Sequence, residues 1–149
     1  MAKAPTVTTH GATTAIQRRV PPEPLRWLHN KGLIIGRSLD YGSGRQCWYG
    51  MHCYDPHWRP VRPTGQFDTI VCSYVLNVVP LSVQKDILAR IRRLLKPGGA
   101  AYIAVRRDLP RSGQVGRGTY QRYVVLRSPS VRKTAGYEIY KIRKIKLRG

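Results

Sequence analysis

Carboxylates are scarce in this chain. Asp and Glu number 7 against 27 Lys and Arg, a formal net charge of +20 over 149 residues. So few acids cannot neutralise the basic surface, which should attract polyanions, nucleic acid first among them, before any specific contact forms. Cysteine is also sparse, and Cys47, Cys53 and Cys72 cannot all pair with one another. No apolar segment approaches membrane-spanning length. Residues 1–12 have no apolar core of the kind a secretory signal needs. A soluble, cytoplasmic protein that does not enter a membrane is the expectation, and no internal repeat is visible.

What is present argues for a folded body. Hydrophobic residues make up 42% of the chain, in runs that a disordered basic tail does not carry. The length suits one domain, expected over 13–142, between a flexible leader at 1–12 and a basic tail at 143–149. The stretch Arg37-Ser38-Leu39-Asp40-Tyr41-Gly42-Ser43-Gly44 organises it. An apolar run from Leu33 ends there in an acid and two glycines, the pattern of a strand running into a tight bend.

Before that strand, Pro24 to Lys31 reads as a short helix stopped by Gly32. After Gly44 only a few residues precede Met51-His52-Cys53-Tyr54-Asp55, although a parallel crossover normally takes about a dozen residues. Pro56, Pro60 and Pro63 then exclude a regular helix up to Gln66. Phe67 to Leu76 is β-branched and apolar, as a strand buried on both faces should be. Ser82 is placed to cap a helix to Leu95, whose apolar stripe contains Val83, Ile87, Leu88, Ile91, Leu94 and Leu95, with Lys85, Arg92 and Arg93 facing water. Lys96-Pro97-Gly98-Gly99 ends that helix, and Ala100 to Val105 is another buried strand. A loop from Pro110 to Gly118 leads to Tyr120–Leu126, a turn at Ser128-Pro129-Ser130, and Tyr137–Ile142, read as an antiparallel hairpin at the sheet edge.

Four successive strands joined by helix or loop suggest an open α/β sheet, and Asp40, Asp55 and Asp108 fall at strand ends. Ligands of such sheets lie at the carboxyl ends of the strands. Carboxylates there suit hydroxyls or an amine, with Asp55 placed to accept two ribose hydroxyl bonds. The competing reading is that these acids only balance nearby arginines.

In order and spacing, Leu39–Gly44, Tyr54-Asp55-Pro56, Phe67–Val78 and Leu95–Gly99 resemble the motifs of the class I S-adenosylmethionine-dependent methyltransferases. The pieces Asp55-Pro56-His57, Val75-Leu76-Asn77-Val78 and Gly118-Thr119-Tyr120-Gln121 are most similar to small phage-borne members and to methyltransferases found beside DNA phosphorothioation genes. The resemblance implies a reduced Rossmann-like methyltransferase sheet, mostly parallel, with a C-terminal antiparallel hairpin, and S-adenosylmethionine as cofactor. It implies that Asp40, Tyr41, Gly42, Ser43 and Gly44 line the methionine end, and that Asp55 holds the ribose with Pro56 beside the adenine. Cys72, Ser73 and Tyr74 belong to the same cofactor wall, the last two near the sulfonium. Tyr74, Asn77, Asp108, Tyr120 and Gln121 are candidates to orient or deprotonate an acceptor. Cys72-Ser73-Tyr74-Val75 stands where DNA amino-methyltransferases carry Asp or Asn, Pro-Pro and an aromatic, which weighs against a base amino group as acceptor.

Other signals admit two readings each. Cys47, His52, Cys53 and His57 lie close enough for a zinc set, but His52 and Cys53 should alternate across a strand, and no metal is expected. Trp48, Tyr49, Tyr54 and Trp58, near Arg59 and Arg62, either stack bases or fill space under a shortened helix. Arg132-Lys133 and Lys141 to Arg148 either face solvent or bind DNA or RNA phosphates. Three functions follow: methyl transfer to nucleic acid or something bound to it, a basic binding module on a methyltransferase fold without turnover, or consumption of S-adenosylmethionine without a macromolecular acceptor.

Overall fold

Apolar, β-branched runs buried on both faces form the centre of a sheet. In the computed structural model, which describes residues 18–110 and 121–145, the strands are β1 (Ser38–Tyr41), β2 (His52–Tyr54), β3 (Phe67–Ser73), β4 (Leu95–Arg106), β5 (Ser130–Lys133) and β6 (Tyr137–Arg143). They make one six-stranded sheet in the order β2-β1-β3-β4-β6-β5. β1 to β4 are parallel neighbours, whereas β6 runs antiparallel to β4 and β5 antiparallel to β6. The expected α/β class, mostly parallel with an antiparallel C-terminal pair, is therefore observed.

Among the described residues, two α-helices cover opposite faces. Helix α1 (Glu23–Asn30) starts with a proline in its first turn, where no amide partner is lost, and buries Leu25 and Leu28. Those leucines pack with Met51, Val71, Tyr102, Ala104, Tyr137 and Ile139. Helix α2 (Leu81–Leu94) buries Ile87 and Ile91. They join Leu39, Ile70, Cys72, Ala101 and Ile103 on the other face. The alternation Val71/Cys72 and Tyr102/Ile103 is the period of two that sends successive side chains to opposite faces. Neither β1 nor β2 is followed by a helix, as the short crossover and the prolines require.

Several expectations are corrected. The first strand begins at Ser38, not Leu33, because Gly36 turns to φ 61 and the Thr69 hydroxyl bonds both the amide and the carbonyl of Ile35, at 3.1 and 2.8 Å. Pro80, not Ser82, is the N-cap of α2, with no side-chain capping bond, and the helix ends at Leu94. β4 starts at Leu95, taking the Lys96–Gly99 turn in as an irregularity of its pairing. The hairpin does not use 121–126, which form no strand. β6 is already paired on both sides, by β4 and by β5, and the local turn at 134–136 needs far less chain closed than a partner from 120–126. The tail is in the sheet further than expected: Arg143 pairs with Ala100, and Lys144 exchanges backbone bonds with Gly98 and Gly99. The leader expected over 1–12 lies outside the described residues.

Segment 121–126 is held instead by Asn77, which sits in a 3-10 turn (Leu76–Val78) between β3 and α2 and is 0% exposed. Its Nδ2 donates to the Arg122 carbonyl and its Oδ1 accepts from the Arg106 amide, both at 2.8 Å. The Arg122 amide donates to the Asn77 carbonyl at 2.7 Å. The Arg122 guanidinium donates to the carbonyls of Leu76 and Val79 and to Gln84 Oε1. We predict that Asn77→Ala, which orphans an amide and a carbonyl in the interior, costs about 2–4 kcal/mol in urea unfolding. A loss below about 0.5 kcal/mol, the level of an ordinary surface substitution, would show that the staple is unimportant.

Candidate active site

The chain leaves β1 to one side to form β2, then returns to the other side to form β3. That reversal places a crevice at the carboxyl ends of β1 and β3, where ligands of open α/β sheets bind. The glycine bend lies there: Gly42 has φ 86 and Gly44 φ 69. The amides of Gly42 and Ser43 donate to the Tyr54 carbonyl at 2.6 and 3.0 Å, lashing the end of β1 to the end of β2. A Cβ on Gly42 would come within 2.3 Å of Val75 Cγ2, so glycine is needed there for β1 and the β3 exit to approach.

Asp55 is the hub of this rim and is 7% exposed. Its Oδ2 accepts the Gly44 amide at 2.9 Å. Its Oδ1 accepts the amides of His57 and Trp58 at 2.9 and 3.0 Å. A carboxylate offers about four acceptor positions, and three are filled by backbone. Room is left for one hydroxyl, where the sequence suggested two.

Asp40 is buried at 5% exposure, and no hydrogen bond to its carboxyl group occurs among the described residues. Burial, and secondarily the charge of Asp55, push its pKa up to about 7. Ser73 Oγ, at the end of β3, is buried without a partner among the described residues. A buried acid and an unpartnered hydroxyl thus lie at the carboxyl ends of neighbouring strands.

Other predicted residues are placed differently. The side chains of Tyr41 and Cys72 lie in the core on the α2 face, so only their backbone can face the crevice. Burial, with Asp40 adding to it, pushes the Cys72 thiol up. Pro56 is half-buried beside Asp55. Tyr74 leaves β3 at φ 62, a conformation that costs free energy in a non-glycine residue. Its ring packs on the α1 face. Burial foremost pushes its hydroxyl up to about 12, so at neutral pH it can donate a hydrogen bond but is not a base. Asn77 uses its amide in the staple described above. Asp108 is exposed and bound through both oxygens to Arg106, at 2.8 Å each, which holds its carboxyl below the usual range. Gln121 is buried with Oε1 unpartnered among the described residues, and Tyr120 lies outside them.

Sequence reasoning missed two ties around the crevice. Arg18 and Gln46 exchange hydrogen bonds, the Arg18 amide donating to Oε1 at 2.7 Å and Nε2 donating to the Arg18 carbonyl. Cys47 and Cys53 are joined as a disulfide across the β1–β2 connection, so the odd cysteine is Cys72. No cluster of three or more His, Cys, Asp or Glu able to hold a metal occurs among the described residues. The aromatic residues divide: Tyr54 is buried, whereas Tyr49 and Trp58 are 41% and 38% exposed. Tyr49 stacks on His29 at 3.8 Å, and the Arg45 guanidinium lies 4.5 Å from the Trp58 ring centre.

Residues 49–103 match the family model described as a methyltransferase domain, a segment running from just before β2 into β4. No curated protein matches the chain. The sheet is that of a reduced Rossmann-like methyltransferase, and residues 49–103 carry a class I S-adenosylmethionine-dependent methyltransferase domain. The matched segment supports a methyltransferase, and domains of this family take the methyl group from S-adenosylmethionine.

The raised pKa of Asp40 links stability to pH. The unfolded chain loses this proton near the ordinary carboxyl value of 3.8, whereas the folded chain keeps it to about 7. The folded state binds more protons in between, so this residue's contribution falls as pH rises from about 4 to about 7. We predict that Asp40→Asn gains stability relative to the parent chain between pH 5 and pH 8, by at most about 3 kcal/mol. Denaturant midpoints of both proteins at the two pH values measure it. A constant difference would mean that Asp40 ionises normally.

Proposed function

We propose that this methyltransferase acts on nucleic acid or on a molecule bound to it, and that the donor sits in the crevice between β1 and β3. The observation that carries the acceptor reading is the fate of the seven acids. Asp68, Asp108 and Glu138 are consumed in ion pairs with Lys96, Arg106 and Arg107. Asp40 and Asp55 are buried at the crevice. Only Glu23 and Asp86 are left to offset the remaining cations, so the outer surface is almost uniformly basic and suits a polyanion.

For the donor, Asp40 is the group that would hold the methionine amine, since a buried carboxylate gains most from a cation beside it. The bend Tyr41–Gly44 would offer backbone, Asp55 its one open acceptor position to the ribose, and Pro56 an apolar edge to the adenine. Ser73 would present its unpartnered hydroxyl near the sulfonium, with the backbone of Cys72 behind it. When bound, the donor supplies a methyl group already activated by its positive sulfur. The chain's own task is then mainly to align an acceptor with that methyl. Tyr74 as a hydrogen-bond donor and Gln121 as an unpaired acceptor are the side chains best suited to orient it; Tyr120 completes this proposal from sequence. Asn77 and Asp108 contribute through position, one holding segment 121–126 and the other holding Arg106. We place the protein in the cytoplasm of a bacterial or phage-infected cell, on its likeness to small phage-borne members, with one domain over 13–142.

Calorimetric titration with S-adenosylmethionine tests the donor site. We predict that Asp40→Asn weakens binding by about tenfold or more at pH 8, the loss of one charge-assisted contact, with the far-ultraviolet dichroism unchanged. Equal affinity would remove Asp40 from the site. Transfer of a tritiated methyl group to DNA, RNA or protein tests the acceptor. Label in nucleic acid supports the reading; donor turnover with no labelled macromolecule would assign the chemistry to a small acceptor or to the donor itself.

A further inference from the structure

On the α2 face, away from the Asp40 side of the sheet, an open cavity of about 190 Å³ is lined by Tyr41, Tyr54, Arg62, Pro63, Arg90, Arg93 and Leu94. It exists because no helix follows β2. The proline-broken segment 56–66 covers this corner instead, leaving a gap between itself and the last turns of α2. The floor is two tyrosines, 4% and 6% exposed, with ring centres 4.9 Å apart. Pro63 and Leu94 make part of the wall apolar, and three arginines supply its charge. Arg90 and Arg93 stand three apart on one helix face, and Arg62 arrives from the loop opposite.

Converging like charges repel unless an anion joins them. The helix macrodipole accounts for a cation in the last turn of α2, where Arg92 and Arg93 both lie. It does not account for Arg62. No carboxylate lines the cavity, and none of the three arginines takes part in an ion pair among the described residues. The loop is also braced: the Arg37 guanidinium donates to the carbonyls of Thr64 and Gln66, both at 2.9 Å, fixing the chain just beyond Pro63. Arg90 lies close enough to the Tyr41 hydroxyl to oppose the rise in its pKa that burial causes.

We propose that this cavity is a phosphate-binding subsite, filled by a phosphate of the nucleic-acid strand that the enzyme engages. Planar guanidinium groups from two elements match the oxygens of a phosphate, and tyrosine hydroxyls can donate to the same group. The volume equals roughly six waters of liquid, enough for a phosphate with part of its sugar. The assignment of the strand as source rests on the nucleic-acid reading above. The subsite would anchor a strand on one face of the sheet while the donor occupies the rim, so that it positions substrate and takes no part in the transfer itself.

The test compares two double variants of equal charge on the same helix. Arg90→Gln with Arg93→Gln empties the cavity wall; Lys85→Gln with Arg92→Gln removes the same charge outside it. All four residues are exposed, so neither pair should unfold the protein. Binding of a labelled single-stranded oligonucleotide is read by fluorescence anisotropy, and binding of a nucleoside monophosphate by calorimetry. We expect the cavity pair to weaken oligonucleotide binding about tenfold or more, and the control pair by less than about threefold. Equal losses for the two pairs would overturn the subsite while leaving a general attraction for nucleic acid intact. If the parent chain takes up the monophosphate but no oligonucleotide, and the cavity pair alone loses it, the subsite stands with a free nucleotide as its source and the nucleic-acid reading falls. Failure of the parent chain to bind either ligand would overturn both.

Discussion

The carboxylate of Asp55 gathers three backbone amides, from Gly44, His57 and Trp58, and the whole carboxyl rim is shaped by that gathering. A full-sized α/β unit fixes its first bend by running it into a helix, whose packing sets the direction of the chain. Here no helix follows β1 or β2. The bend is held by a charge accepting amide hydrogens, and by the Tyr54 carbonyl taking the amides of Gly42 and Ser43. Charge-assisted bonds of this kind are about twice as strong as neutral ones. One side chain thereby does the positioning that a helix would do by burying an apolar face.

The same economy explains why Asp40 is left in an unfavourable state. It is buried beside a second acid whose oxygens hold the bend, and desolvation foremost, with that neighbour adding to it, disfavours its ionised form. Natural folds tolerate such unpaired polar groups mainly where a ligand completes them. Ser73 Oγ and Tyr74, the first an orphaned hydroxyl and the second at positive φ, stand on the neighbouring strand end. A strained residue and a missing partner thus meet at the crevice, while the two cores on either side of the sheet are built mostly of apolar residues.

The sheet was legible because its signals are periodic. Phe67–Ser73 and the stripe of α2 announce themselves by spacing, and the acids at strand ends stand out in a chain with so few. The parity of β1 and β3 corrects the resemblance, which put Tyr41 and Cys72 in the cofactor wall: residues adjacent to Asp40 and Ser73 must face the other way, and both are core side chains. What could not be read is tertiary. The alternation of 120–126 is a local pattern overruled by Arg122, whose amide and guanidinium are claimed by Asn77, the 3-10 turn and Gln84. The number of acceptor positions left on Asp55 depends on amides brought by the fold. Likewise Arg62, Arg90 and Arg93 meet only because loop and helix happen to flank the same bare corner.

Both outer strands of the sheet are very short: β2 has three residues and β5 has four. An unpaired strand margin is a template on which a second chain can grow, and a long, flat, apolar one invites fibrous stacking. Margins this brief, one of them carrying Arg132 and Lys133, present only a few free amides and carbonyls in a row. A sheet with only two covering helices among the described residues therefore need not bury its flanks against a twin, and strand-to-strand addition is not a ready route to self-assembly for it.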